Sequence, residues 1–110
     1  ERGIIAYDVL VNQCNMSAVD FMKLVSENPA KLYGMYPKKG TLAVGSDGDI
    51  TIVDKHIEHV LSKESAHTKA DYIPYEGISV TGKVRDVILR GHHVVQDGSL
   101  TESYLGECIP

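Results

Sequence analysis

Tryptophan is absent from this sequence of 110 residues, and phenylalanine occurs once. Any core must therefore be built from Val, Ile, Leu, Ala and the six tyrosines. Such a core folds, but it is thin for a chain with room for one small domain. Cysteine is scarce too. Cys14 and Cys108 lie far apart and form no CxxC motif, so nothing in the pattern supports a disulfide, and two free thiols in a reducing cytoplasm is the better reading. Long apolar runs are missing: none approaches the roughly 20 residues that a membrane span requires. Positive charge is sparse and scattered. The 11 Lys and Arg residues include one adjacent pair, Lys38-Lys39, within a net charge of −4, which excludes the basic stripe of a nucleic-acid binder. Methionine is not the first residue, and Glu1-Arg2-Gly3-Ile4 has the wrong order for a signal peptide. The expectation is a chain that starts partway through a longer protein.

What is present reads as helices first and strands afterwards, with the change near Tyr36-Pro37. Ile4, Ile5, Leu10 and Val11 predict a short helix over residues 4–13, followed by a polar break at 12–15. Ser17 and Asp20 have the spacing of a capping box, in which a hydroxyl and a carboxylate satisfy orphan amides at a helix start. Positions 18, 21, 22 and 25 repeat at helical spacing, so a helix over about 18–27 carries one apolar face. Asn28-Pro29 reads as punctuation before one further turn, and Gly34 as a left-handed C-terminal cap.

From Gly40 onward the pattern changes, and Gly40, Gly45 and Gly48 mark turns. Ile50-Thr51-Ile52-Val53 is a β-branched run that predicts a strand. Residues 55–71 are polar and read as a long loop. Ile78–Thr81, Val84–Leu89 and Val94-Val95 predict further short strands. Arg90-Gly91-His92 reads as a hairpin turn and Asp97-Gly98 as the next one. The tail from Leu100 to Pro110 has no clear pattern. Since strands do not alternate with helices, a parallel βαβ sheet is not expected. The class is α+β, with helices followed by a small antiparallel or mixed sheet.

No catalytic constellation emerges from the residues. His92-His93 are adjacent, so on a strand they point to opposite faces and do not share a metal. His56 and His59 are separated by three positions but lie in the polar stretch, and His67 is alone. No HxH, HExxH or Cys/His ligand spacing occurs. Asp47 and Asp49 flank Gly48 but lack the rest of a calcium loop, including its twelfth-position Glu, and read as a turn. Gly40 to Gly45 is not a phosphate loop, because no Lys follows the second Gly. Asn15-Met16-Ser17 matches a glycosylation acceptor, yet Ser17 is better used as a cap. Catalytic, cofactor-binding and metal-binding residues are all expected to be none.

The punctuation itself is informative. Ser26-Glu27-Asn28-Pro29-Ala30-Lys31-Leu32-Tyr33-Gly34, running on through Tyr36-Pro37-Lys38-Lys39-Gly40-Thr41, resembles the stretch after the catalytic barrel in hydantoinases and dihydropyrimidinases. Gly45-Ser46-Asp47-Gly48-Asp49-Ile50 resembles that family's G-S-D-A-D turn, with Gly48 in place of the usual Ala. Tyr72-Ile73-Pro74-Tyr75-Glu76-Gly77 resembles a further family motif, and Val87–Gly91 with Val94–Gly98 its closing hairpin. The blocks fall in the family's order and cover most of residues 17–98.

The resemblance implies a C-terminal segment. Residues 1–35 would be the last helices of a metal-dependent (β/α)8 barrel, and residues 36–110 the C-terminal part of a small β-sandwich built from both ends of the chain. It implies a bacterial, cytoplasmic homotetramer that hydrolyses the ring amide of hydantoins or dihydropyrimidines with two zinc ions, whose ligands lie upstream of Glu1. The partners implied are the missing N-terminal barrel and sandwich portion and further copies of the chain, with no nucleic acid and no membrane. The alternative is a segment of a non-enzymatic dihydropyrimidinase-related scaffold protein, since a fold does not fix a function.

Overall fold

A computed structural model of the protein describes residues 2–101 and 105–109. Arg2–Tyr7 form helix α1, which winds on through a wider π-helical stretch, Asp8–Gln13. The predicted helix over 4–13 is therefore present and starts two residues earlier. The Cys14 N–H closes it by donating to the Val9 carbonyl at 2.9 Å. Asn15 then adopts a φ of 56°, a left-handed conformation that Asn tolerates better than most residues.

Ala18–Met22 form α2, which continues as a π-helical stretch, Lys23–Glu27, into α3, Asn28–Leu32. Ser17 caps this run: the Asp20 N–H donates to Ser17 Oγ at 3.1 Å, and the Ser17 hydroxyl donates to Asp20 Oδ2 at 2.8 Å. Half of the capping box forms, because the short Asp side chain meets the hydroxyl rather than the Ser17 amide. The punctuation expected at Asn28-Pro29 does not interrupt the helical run, although Pro29 does open a further turn. Asn28 is itself helical, with φ −65° and ψ −44°, and Pro29 lies in the first turn of α3. Gly34 takes the left-handed position at φ 69°. The Met35 N–H then reaches back to the Ala30 carbonyl at 2.8 Å, which satisfies an orphan carbonyl of the last turn.

The strands are longer than their apolar runs. β1 spans Ile50–Val60, so the loop expected from residue 55 begins only after Val60. The reason is that residues 55–58 are exposed on this strand. With no face to bury there, the sequence needs no apolar alternation, and the strand is invisible to hydrophobic patterning. A short 3-10 turn, Lys63–Ser65, follows. β2 spans Ser79–Leu89 as one strand where two were expected; it runs through Gly82 at φ 125°. β3 is His92–Gln96 and β4 is Ser99–Leu100.

The sheet order is β1-β2-β3-β4. β2 pairs antiparallel with β3, with Leu89 opposite His92 and Ile88 opposite His93, and β3 pairs antiparallel with β4. His92 thus belongs to the strand and not to the turn. The two hairpin turns are Arg90-Gly91, at φ 48° and 82°, and Asp97-Gly98, at φ 49° and 78°. Positive φ at both central positions is the turn type whose twist matches that of the flanking strands.

The chain divides into two compact units, Glu1–Phe21 with Asp54–Lys83, and Met22–Val53 with Val84–Pro110. In the first, Ile4, Phe21, Leu61, Ile73 and Val80 are buried, and the Tyr7 and Phe21 rings meet edge to face at 5.5 Å. In the second, Ala30 is buried beneath Gly40, where an added Cβ would fall 2.5 Å from the Ala30 methyl. Both cores are small, as the shortage of large aromatic residues requires.

Candidate functional site

The histidines do not converge. His56 and His59 lie on β1, not in a loop, and both His92 and His93 are exposed at the start of β3. His67 sits in the segment between the 3-10 turn and β2 and is exposed. His59 is half-buried, and its Nδ1 has no hydrogen-bond partner among the described residues. Burial, helped by the nearby Lys83 charge, holds its pKa below the ordinary histidine value, which favours the neutral ring.

Asp47 and Asp49 are already committed. Lys39 Nζ contacts Asp47 Oδ2 at 2.8 Å and also binds Asp49 Oδ2. Asp49 Oδ1 accepts the Arg90 N–H at 2.9 Å, and the Gly48 carbonyl accepts the Gly91 N–H at 3.1 Å. Burial pushes the Asp49 carboxyl up, but the Lys39 hydrogen bond, the Arg90 amide and the two positive charges outweigh it, so the pKa is lowered. The Gly45–Asp49 turn therefore ties the first hairpin turn to Lys39. Its upstream side is held by Ser46, whose hydroxyl donates to the Pro37 carbonyl at 2.7 Å.

An open hollow beside this turn is lined by Met35, Lys38, Lys39, Arg90 and Cys108 among others. Two of its cations are taken. Lys39 is held by the two carboxylates, and Arg90 binds Glu107 Oε2 at 2.6 Å and also the Leu105 carbonyl. Asp86, buried on β2, is equally occupied: its Oδ1 accepts the Asp97 N–H at 3.0 Å and its Oδ2 binds Arg85 Nε at 2.6 Å. Arg85 first and the Asp97 amide second keep this carboxyl below its ordinary pKa.

Among the described residues, no group of three or more His, Cys, Asp or Glu side chains could hold a metal ion. The described donor set does not fit zinc, because Asp47 and Asp49 are both bound to Lys39 and the histidines are dispersed. Cys14 and Cys108 are both free and exposed. No helix in the described residues is long and apolar enough to cross a membrane.

One feature was outside the reach of sequence reasoning. Asp8, read only as part of a helix, is buried at 6% exposure and accepts hydrogen bonds from Asn12 Nδ2 at 2.8 Å, from Gln13 Nε2 at 3.0 Å and from the Thr81 amide at 3.1 Å. The Asn12 hydrogen bond is the leading reason its pKa is lowered; burial opposes it, and the Thr81 and Gln13 donors add to it.

Comparison with known proteins places this scaffold. The model of the amidohydrolase family matches residues 1–94. A D-hydantoinase of Ralstonia pickettii is 44% identical over 97% of this chain, and one of Geobacillus stearothermophilus is 42% identical over 88% of it. Among solved structures, dihydropyrimidinase from Brevibacillus agri NCHU1002 superposes with a TM-score of 0.86 at 39% identity, over 89% of this chain and 21% of its own. L-hydantoinase (dihydropyrimidinase) from Arthrobacter aurescens gives 0.83 at 34% identity, over 89% of this chain and 22% of its own. The chain spans only 22% and 21% of the two D-hydantoinases. It belongs to the amidohydrolase family, within the hydantoinase and dihydropyrimidinase group, and matches about a fifth of those enzymes.

Proposed function

We propose that this chain is the C-terminal structural segment of a cyclic amidohydrolase that opens the ring amide of hydantoins or dihydropyrimidines, and that it is inactive on its own. The observation that carries this reading is a disproportion: nearly all of this chain aligns, yet it accounts for 22% of the relative. Among the described residues the two buried carboxylates, Asp8 and Asp86, are both engaged, by amides and by Arg85, which supports a structural role for them rather than that of a general base. Residues 1–35 finish the barrel, and residues 36–110 supply the C-terminal part of the sandwich. Two zinc ions, which the remaining polypeptide would hold, would supply Lewis acidity for activating water and polarising the ring carbonyl. The intact protein is a bacterial, cytoplasmic homo-oligomer, in keeping with two free thiols.

Ring opening of hydantoin and dihydrouracil, followed by ultraviolet absorbance, tests the reading. The chain alone should show no turnover and no stoichiometric zinc by elemental analysis. Co-production with the remaining polypeptide should give both. Turnover by the isolated chain, or one to two tightly held zinc ions per chain, would overturn the proposal.

A further inference from the structure

The carboxylate of Asp8 and the amide of Asn12 address both polar groups of a single residue in β2. Thr81 donates its N–H to Asp8 Oδ1 at 3.1 Å, and its carbonyl accepts from Asn12 Nδ2 at 2.9 Å. Asn12 Nδ2 also donates to the same Asp8 oxygen at 2.8 Å, and Gln13 Nε2 donates to the other one at 3.0 Å. An acceptor and a donor offered together to one residue are what a facing residue supplies in a hydrogen-bonded antiparallel pair. β3 cannot supply them here, because its register runs against Val87–Leu89.

A second observation is independent of these bonds. The next residue, Gly82, has φ 125°, and an added Cβ would lie 3.2 Å from both Ile4 Cδ1 and Tyr7 Cδ1. Side chains of α1 thus close onto the backbone of β2 one residue beyond the point where Asp8 and Asn12 bind it.

We propose that Asp8 and Asn12 act as a positioning clamp that stands in for a neighbouring strand at Thr81 and fixes the register of the first helical segment on β2. What the clamp joins rests on the reading above: under it, the end of the barrel is fastened to the sandwich. The clamp itself does not depend on that reading. Gln13 bonds the other Asp8 oxygen and not Thr81, so it serves as the internal control.

Site-resolved hydrogen exchange on the whole chain tests this. In Asp8→Ala the Thr81 amide should exchange about tenfold faster or more, the loss expected for a charge-assisted hydrogen bond. The Gly98 amide, bonded to the Arg85 carbonyl at 2.7 Å, should keep its rate, and Gln13→Ala should leave Thr81 nearly unchanged. Unaltered Thr81 exchange in Asp8→Ala, or equal acceleration in Gln13→Ala, would sink the clamp. If Asp8→Ala unfolds, Gly98 accelerates as well, and the unsubstituted chain decides. There the Thr81 amide resonance should titrate together with the Asp8 carboxyl, and an amide shift that ignores that titration overturns the proposal. Catalytic turnover by the chain would refute the segment reading while leaving these exchange rates untouched, so the two ideas fail separately.

Discussion

Asp8 shows how much a single buried carboxylate can decide. Removing it takes the acceptor from the Thr81 N–H, while Asn12 keeps the Thr81 carbonyl and the exposed Asn12 and Gln13 amides can turn to water, so Asp8→Ala should destabilise the fold by about 1–3 kcal/mol at neutral pH. The sign of its pH dependence follows from the lowered pKa. The ionised form is the one the fold stabilises. The contribution is therefore complete above the unfolded carboxyl value, and it is lost as pH falls through the lower folded one. Urea midpoints of the parent chain and of Asp8→Ala should differ most near neutrality and converge in strong acid. A gap that widens on acidification would contradict the assignment. Sequence reading did not single out Asp8, because its strand partner lies 73 positions away. It did find Ser17 and the Asp47-Gly48-Asp49 turn, since their chemistry acts within a few residues of chain.

At the scale of elements, the turns and caps were the most legible parts. Asp97-Gly98 was recognised because φ above zero selects Asn, Asp and Gly, and its observed angles are 49° and 78°. Arg90-Gly91 works with Gly91 at φ 82°, and Gly91→Ala should cost about 1 kcal/mol through left-handed strain alone, since nothing lies within 4 Å of an added Cβ. Gly82→Ala combines two penalties, a φ of 125° and 3.2 Å contacts with Ile4 and Tyr7. It should therefore be the more damaging of the two by about 1–3 kcal/mol, the ordinary price of overpacking. Thermal denaturation of both variants ranks them, and equal losses would argue against the close approach of α1 to β2. The sequence-based strand lengths failed where burial was weak. β1 extends seven residues past Val53 to Val60 through mostly exposed positions that apolar patterning cannot register, and the two runs expected at 78–81 and 84–89 are one strand that passes through Gly82.

For the molecule as a whole, the main physical fact is the apolar surface left uncovered. Of the large side chains on the predicted apolar face, Phe21 is buried while Met22 is 55% exposed and Val25 44%; farther along the run Leu32 is 79% exposed. Apolar positions grouped on one helical run mark a surface that associates. The isolated chain should therefore self-associate at micromolar concentrations in sedimentation velocity. The double substitution Val25→Lys with Leu32→Lys should shift it toward monomer without loss of helical circular dichroism, since neither side chain supports the existing core. A compact monomer of the unsubstituted chain would contradict this and weaken the segment reading with it.

The sequence by itself determined the class of the molecule, its turns, the helix start at Ser17 and its kinship with the hydantoinases, because each depends on residue types at short, fixed spacing. Only tertiary structure decided where β1 ends, that β2 is continuous, that Lys39 is shared by two carboxylates, and that Asp8 and Asn12 fasten onto Thr81. Those features arise from groups distant in the chain that satisfy one another once solvent is removed. A hydrogen bond spanning 73 residues leaves no periodic trace in the amino-acid order.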